Sequence, residues 1–348
     1  MSLPKTASQS RVREMAVALK MSEAAYDRAL EIAGCRPDRF TWRRYIDTFL
    51  IAVGAALIVA GVAAFFAWNW ADLDHLHKFA LIQLGIVATA IAAWRLSLDS
   101  AAGRAALFAT AALTGILLAV YGQVYQTGAD PYGLFLTWAL LIAPLCLIGR
   151  QAGLWILFVI LLNLSLIMYY TQVLNPPDGW WQLTQVLGPL VWLASTVMDS
   201  TLASYLFALN AVALVAWEVG ANRGIGWMQG RVLPGLIAMM AFSTVLPPSL
   251  IMIFVGALDD NANLHFVSPL LLAITTAACL WYYQFRRRDL FILTLCLFAA
   301  ILVITSFSIR YSMGGVGTLL LLAILIIGQV AGAAWWLRNI ARRWEDEA

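Results

Sequence analysis

Long apolar stretches recur along almost the whole chain, separated by short segments that carry charges, glycine or proline. Most of them hold about 17 to 25 residues, the length that a helix needs to cross a hydrocarbon core about 30 Å thick. The breaks between them predict ten spans, at about 46–68, 79–95, 104–121, 132–148, 153–171, 201–220, 233–256, 264–285, 290–309 and 316–337. The pattern therefore predicts an all-α fold, a polytopic transmembrane helix bundle.

An eleventh apolar segment, 182–197, is short, contains Gln182 and Gln185, and is interrupted by Gly188 and Pro189. Two interpretations of it are open, a further crossing helix or a re-entrant or interfacial part of an outer loop. We favour the second, because non-helical backbone at membrane depth is tolerated where protein shields it.

The positive charges support that choice and give an orientation. With ten crossings and a cytoplasmic N-terminus, 20 of the 22 Lys and Arg residues lie on the cytoplasmic side, and only Lys78 and Arg310 lie outside. An excess of Lys and Arg in cytoplasmic loops is the general rule for membrane proteins. We therefore predict a multi-pass protein of the bacterial inner (plasma) membrane, with the N-terminus and the C-terminus both cytoplasmic.

Composition agrees with this class. The chain has 348 residues, of which 62% are hydrophobic and 12% are charged, whereas about 25% of the residues of a soluble domain are charged. The predicted regions are a cytoplasmic amphipathic helical pair in 1–44, five spans in 45–171, an outer loop at 172–200, five spans in 201–338 and a cytoplasmic tail at 339–348. The helical pair either recruits a partner or covers the inner face of the bundle, and an oligomer is possible.

Polar side chains gather where the third span ends at the predicted outer face. Tyr121, Gln123, Tyr125 and Gln126 lie within six residues, and Asp130 follows in a turn. These side chains can donate and accept hydrogen bonds, and apart from Asp130 they carry no charge. They therefore suit a neutral or zwitterionic polar molecule or a lipid head group. The alternative is that they satisfy the helix end and anchor it at the membrane interface, where tyrosine is common.

Two stretches carry a resemblance to a known family. AFFAWNWADL at the end of span one and AVYGQVYQTGADPYGLFLTWALL across spans three and four resemble a widespread bacterial family of predicted inner-membrane proteins, catalogued as a domain of unknown function. The resemblance covers about residues 10 to 170 and implies a multi-spanning membrane protein without an established activity. It marks Trp68, Asn69, Trp70, Gln123, Tyr125 and Gln126 as family-pattern positions without roles. The candidate ligand-binding residues are Trp68, Asn69, Tyr121, Gln123, Tyr125, Gln126 and Asp130.

Residues that could support other chemistry are scattered. Asp72, Asp74, His75 and His77 share one outer loop, but neither a helix nor a strand gathers all four, so we predict no metal site. The four cysteines show no metal-ligand spacing, and we find no HExxH, G-x-S-x-G or Walker motif, so we predict no catalytic residues and no cofactor.

Few carboxylates lie within the spans. Asp47 and Glu218 lie near cytoplasmic ends, with Arg44 and Arg223 within reach. This disfavours a proton-coupled pump, because such pumps keep ionisable groups inside the membrane.

Small and amide residues predict how the spans associate. Ala52, Ala56, Ala60 and Ala64 on span one, with Gly85, Thr89 and Ala93 on span two, predict a close antiparallel hairpin of these two spans. The amides within spans, Gln83, Asn163, Asn210 and Gln329, are expected to bond between helices.

The sequence thus favours a non-enzymatic role, the binding or transport of a polar or lipid-like molecule at the outer ends of spans one, three and four. One alternative is a membrane-embedded enzyme that acts on lipid or glycan at the outer leaflet. Another is a scaffold that recruits a partner through the N-terminal helices. Besides the lipid bilayer, we expect a polar small molecule or lipid head group as ligand, and no nucleic acid.

Overall fold

The computed structural model describes residues 9–33, 35, 39–68, 74–125, 130–174, 199–255, 266–311 and 316–347. These ranges contain twelve α-helices and no strand, which confirms the all-α prediction. Two short helices come first, α1 (Gln9–Ala18) and α2 (Glu23–Ile32). Ten long ones follow: α3 (Arg39–Trp68), α4 (His75–Arg95), α5 (Ala101–Tyr125), α6 (Pro131–Gly149), α7 (Ala152–Tyr169), α8 (Ser200–Asn222), α9 (Val232–Val255), α10 (Val267–Phe285), α11 (Leu290–Arg310) and α12 (Val316–Asp346).

Within the described ranges, nine of the long helices are both long and apolar enough to cross a membrane. The tenth, α10, is less apolar, yet it runs alongside its neighbours. Its first residues lie with Arg310 at the end of α11, and at its last turn Tyr283 contacts Glu218 near the end of α8. The chain is thus a polytopic membrane protein, and α10 extends between both ends of the bundle. The segment 182–197 lies outside the described residues.

The two short helices form the predicted N-terminal pair. Ser22 caps α2, because its hydroxyl accepts a hydrogen bond from the amide of Ala25 at 3.3 Å, as is usual for serine before a helix. Val12 and Leu30 are buried, so the pair has a small apolar core.

Small residues bring α4 and α5 together, and not α3 and α4. Leu113 of α5 comes within 3.4 Å of the position that a Cβ on Gly85 would take. The hydroxyl of Thr110 donates to the hydroxyl of Thr89 at 2.9 Å, and Ala93 is buried. Gly85, Thr89 and Ala93 therefore serve the contact between α4 and α5.

The prediction that spans one and two form a close hairpin is wrong, because the small residues of α4 contact α5. α3 packs mainly against α5, and Val62 of α3 contacts the apolar cluster around Ile82 and Val120. Ala56, Ala60 and Ala64 are exposed, and the side chain of Ala52 lies outside the description. The small face of α4 is occupied by α5, so the alanines of α3 have no matching surface on α4.

A tryptophan from the family-like motif fixes α6 against α5. The indole Nε1 of Trp138 donates to the carbonyl of Ala111 at 2.8 Å, and its ring covers Gly115. A Cβ built on Gly115 would lie 2.2 Å from the Trp138 ring, which is far below van der Waals contact. Glycine is therefore needed at this position.

An amide pair joins the first five long helices to the rest. Asn163 of α7 and Asn210 of α8 exchange two hydrogen bonds, at 3.1 Å and 2.7 Å, and both side chains are buried. The expected bonding between helices is confirmed for this pair. Gln329 accepts a long bond of 3.4 Å from Thr305, whereas Gln83 is exposed.

Gly115→Ala tests the contact between α5 and α6. The added methyl group must displace the indole of Trp138, so we expect it to lower the free energy of unfolding by about 1 to 3 kcal/mol. Gly122→Ala in the same helix is the control, because no described residue comes within 4 Å of its Cβ position and alanine favours helix. The measurement is thermal unfolding in detergent, and equal melting temperatures for the two variants would contradict the contact.

Candidate functional site

The predicted outer patch is partly described. Tyr121 and Tyr125 lie together, with ring centroids 4.7 Å apart, and Phe79 of α4 stacks on Tyr125 at 5.9 Å. Both tyrosines are half exposed, and Gln123 is also exposed. The structure thus forms an aromatic cluster at this end of α5 and directs Gln123 outward.

The remaining members of the patch are less connected. Trp68 ends α3 and is 87% exposed. Asp130 precedes α6 and is exposed, and its side chain makes no capping hydrogen bond. Asn69 and Gln126 lie outside the described residues, so a polar pocket built by the whole set stays a prediction.

The acidic and histidine residues that the sequence places in outer loops are also only partly described. Asp74, His75 and His77 lie at the start of α4 and are exposed. Asp72, Asp260 and His265 lie outside the description. In the ranges that the structure covers, no group of three or more His, Cys, Asp or Glu side chains could hold a metal ion.

A different feature stands out, a deep cleft between α9, α10 and α11. Its volume is about 780 Å³, within the range of small-molecule sites in proteins. Along α11 its wall runs from Ala299 to Arg310, about 16 Å at 1.5 Å per residue. That length is about half of a hydrocarbon core, so the cleft has the depth of one leaflet.

Small side chains on facing helices create the space. Ala273 and Ala277 lie one turn apart on α10, and Ala299 and Ala300 lie on α11. Larger apolar side chains complete the wall, among them Met252, Ile253, Leu272, Leu280, Val303 and Ile304. The sequence analysis did not identify this cleft, although the four-residue spacing of Ala273 and Ala277 was a visible signal.

The wall is chemically apolar even where it carries hydroxyl groups. The hydroxyl of Ser249 donates to the carbonyl of Val245 at 2.5 Å, and that of Thr276 donates to the carbonyl of Leu272 at 2.7 Å. Each hydroxyl proton is thus bonded to a backbone carbonyl of its own helix. The depth of the cleft offers a ligand almost only hydrocarbon contacts.

The two ends of the cleft differ. Phe266, Arg310 and Tyr311 form the mouth, and all three are exposed. Beyond Leu280 at the other end, the buried side chains of Tyr283 and Cys296 belong to the apolar core of α9, α10 and α11. The cleft therefore has an aromatic, cationic end and, opposite it, a deep end that the apolar core closes.

A buried carboxylate lies beyond that closed end. Glu218 of α8 is 5% exposed. Its Oε1 accepts hydrogen bonds from Arg231 Nη1 and the Tyr283 hydroxyl, both at 3.1 Å. Its Oε2 accepts from Arg287 Nε at 3.1 Å and from the Tyr282 hydroxyl at 3.4 Å. We call these five residues the Glu218 network.

Further bonds hold the two arginines of the network. Arg231 Nη2 donates to the backbone carbonyl of Arg287 at 2.5 Å, and Arg287 Nη1 donates to Gln229 Oε1 at 3.2 Å. Arg231 also lies 3.9 Å from Asp289, whose Oδ1 caps α11 by accepting from the amide of Phe291 at 3.0 Å. The network therefore joins α8, the start of α9, the end of α10 and the start of α11.

Arg223, which the sequence places within reach of Glu218, is not the arginine that pairs with it. Arg223 is next to the end of α8, but the carboxylate is paired with Arg231 and Arg287, which come from later segments. A carboxylate has about four lone-pair sites, and Glu218 receives four donors. This arrangement suits a structural connection and leaves no acceptor for a substrate proton.

Glu218→Gln should strongly destabilise the protein, because it leaves two guanidinium groups without their shared counter-charge. Removing one partner of a buried ion pair costs about 3 to 5 kcal/mol. Glu347→Gln is the control, since it breaks an exposed pair with Arg288 that is worth about 0 to 1 kcal/mol. Thermal unfolding in detergent compares them, and similar melting temperatures would show that the network adds little.

Comparison with known proteins agrees with the membrane fold and does not supply an activity. No curated protein matches the chain, and no solved structure matches it. A family model matches the first part of the chain, a segment that contains Trp68, Gly115, Gln123 and Trp138 and that ends before the cleft and the Glu218 network begin. Residues 20–155 match the model of a family described as a predicted membrane protein, DUF2157, which confirms the resemblance of this part of the chain to a membrane protein family of unknown function.

Proposed function

We propose that the protein is a non-enzymatic inner-membrane protein that binds a lipid-like molecule at the outer face, with a hydrocarbon chain of the ligand in the cleft between α9, α10 and α11. The observation that carries this proposal is the apolar depth of the cleft, where even Ser249 and Thr276 bond to their own helices. Water gains few hydrogen bonds from such a wall, whereas a hydrocarbon chain gains contacts along its length.

The depth of the cleft supports a lipid-like ligand in particular. It extends about 16 Å from the mouth, and one leaflet of a hydrocarbon core about 30 Å thick has a similar depth. Tyr311 at the mouth is 77% exposed, and tyrosine is enriched at membrane interfaces. A molecule with a polar head at the interface and an apolar chain beneath it matches both features.

The outer location of the mouth rests on ten crossings with cytoplasmic termini. The Tyr170 hydroxyl donates to Asp199 Oδ2 at 3.0 Å. The end of α7 and the start of α8 therefore lie at the same end of the bundle. This supports ten crossings, as the distribution of Lys and Arg does. On this count α11 ends on the outer side, and the Glu218 network lies on the cytoplasmic side.

Ala277→Phe tests the proposal by filling the cleft. Overpacking by about 1 to 3 kcal/mol corresponds to roughly 5- to 150-fold weaker binding of a chain. Ala278→Phe is the matched control, because Ala278 is also exposed but does not line the cleft. We expect native mass spectrometry from mild detergent to show lipid retained by the wild type and by Ala278→Phe, and lost from Ala277→Phe.

Equal retention by both variants would overturn lipid binding in this cleft. That result would instead favour a binding site at the polar patch around Gln123, or the alternatives of an enzyme or a scaffold. Melting temperatures of the two variants are measured alongside, so that loss of folding is distinguished from loss of lipid.

Reporter fusions test the orientation. Fusions after residues 129 and 260 should report the outer side, and fusions after 225 and 287 the cytoplasmic side. The reason is the concentration of Lys and Arg on one side. An outer signal at 225 would reject ten crossings and place a crossing between α7 and α8.

A further inference from the structure

We propose that the cleft selects an anionic phospholipid, whose phosphate is bound by Arg310 at the mouth. This inference rests on the proposed function, because it names the class of lipid that the same cleft takes. It depends on the position of the guanidinium, on its free donors and on the charge around it.

Arg310 is held across the mouth of the cleft. It is the last residue of α11, and its Nη1 donates to the carbonyl of Phe254 near the end of α9. The side chain therefore links two of the three helices that form the cleft, at the end where a head group would lie. The cleft runs inward from this point. A single placement of the lipid therefore puts its hydrocarbon chain in the cleft and its phosphate beside the guanidinium.

The guanidinium keeps donors for a ligand. Arginine has five N–H donors in a planar fork, and one nitrogen contacts the carbonyl of Phe254. Across the part of the chain that the structure describes, no carboxylate forms an ion pair with Arg310. Its charge is thus open to a partner of opposite sign, and a phosphate matches the fork in geometry as well as in charge.

The charge favours an anionic lipid over a zwitterionic one. Both have a phosphate, but a zwitterionic head group also carries a cation, which reduces the attraction to Arg310. Among the described residues that line the cleft, none has an acidic side chain to hold such a cation. A basic residue near a membrane surface is worth about 1 kcal/mol toward anionic lipid, which corresponds to about a fivefold preference.

A simpler role for Arg310 would leave no preference among lipids. A basic side chain in the last turn stabilises a helix by interacting with its carbonyl groups, and the bond to Phe254 adds a link to α9. These contacts form without any ligand. The experiment must therefore measure lipid selectivity as well as stability.

The test is titration of the delipidated, full-length protein with phosphatidylglycerol or phosphatidylcholine of identical acyl chains, followed by native mass spectrometry. We expect the wild type to bind phosphatidylglycerol about fivefold more tightly. Arg310→Gln should bind both lipids equally, because glutamine has no charge. Arg310→Lys should retain most of the preference, and Arg286→Gln, an exposed arginine outside the cleft, should retain all of it.

The outcomes separate this inference from the proposed function. If the wild type binds both lipids equally, or if Arg310→Gln keeps the preference, selection by Arg310 is wrong while lipid binding in the cleft stands. If Ala277→Phe binds both lipids as well as the wild type does, the cleft is not the binding site, and both proposals fail.

Discussion

A carboxylate removed from water must be paired, and the second half of this bundle is arranged around one such group. Glu218 accepts hydrogen bonds from two arginines and two tyrosines. Its charge is costly in a medium of low dielectric unless donors surround it. The donors come from the start of α9, the last turn of α10 and the turn between α10 and α11, so satisfying one carboxylate fixes four helices at one end. The small side chains of α10 and α11 can then leave open space toward the opposite end without loss of the bundle.

Much of the fold could be predicted because the length of an apolar stretch is a local property of the sequence. The long helices match the predicted spans, and the inter-helix role of Asn163 and Asn210 was also predicted. Helix partners could not be predicted in the same way. Ala56 and Ala60 share the four-residue spacing of Gly85 and Thr89, but the alanines are exposed and the second pair contacts α5.

The site was less predictable for a related reason. Ala273 and Ala277 have the same spacing again, but there it lines a cleft. Glu218 was recognised from its position in a span, yet its partners are 13 and 69 residues away in sequence, and no local pattern selects them over Arg223. Arg310 was identified as one of two basic residues on the outer side, but its link to α9 depends on the packing of α9 against α11. The polar patch around Gln123 remains a prediction.

The closed end of the cleft determines from which leaflet a lipid ligand could enter. Under the proposed function, a lipid could reach the cleft from one leaflet only, because the core around Tyr283 and Cys296 blocks passage toward the Glu218 network. Occupancy would then follow the composition of that leaflet and not the average of the membrane. Transfer of anionic lipid from one leaflet to the other would change the occupied fraction while the total lipid content stayed constant, so the protein would respond to the asymmetry of its own bilayer.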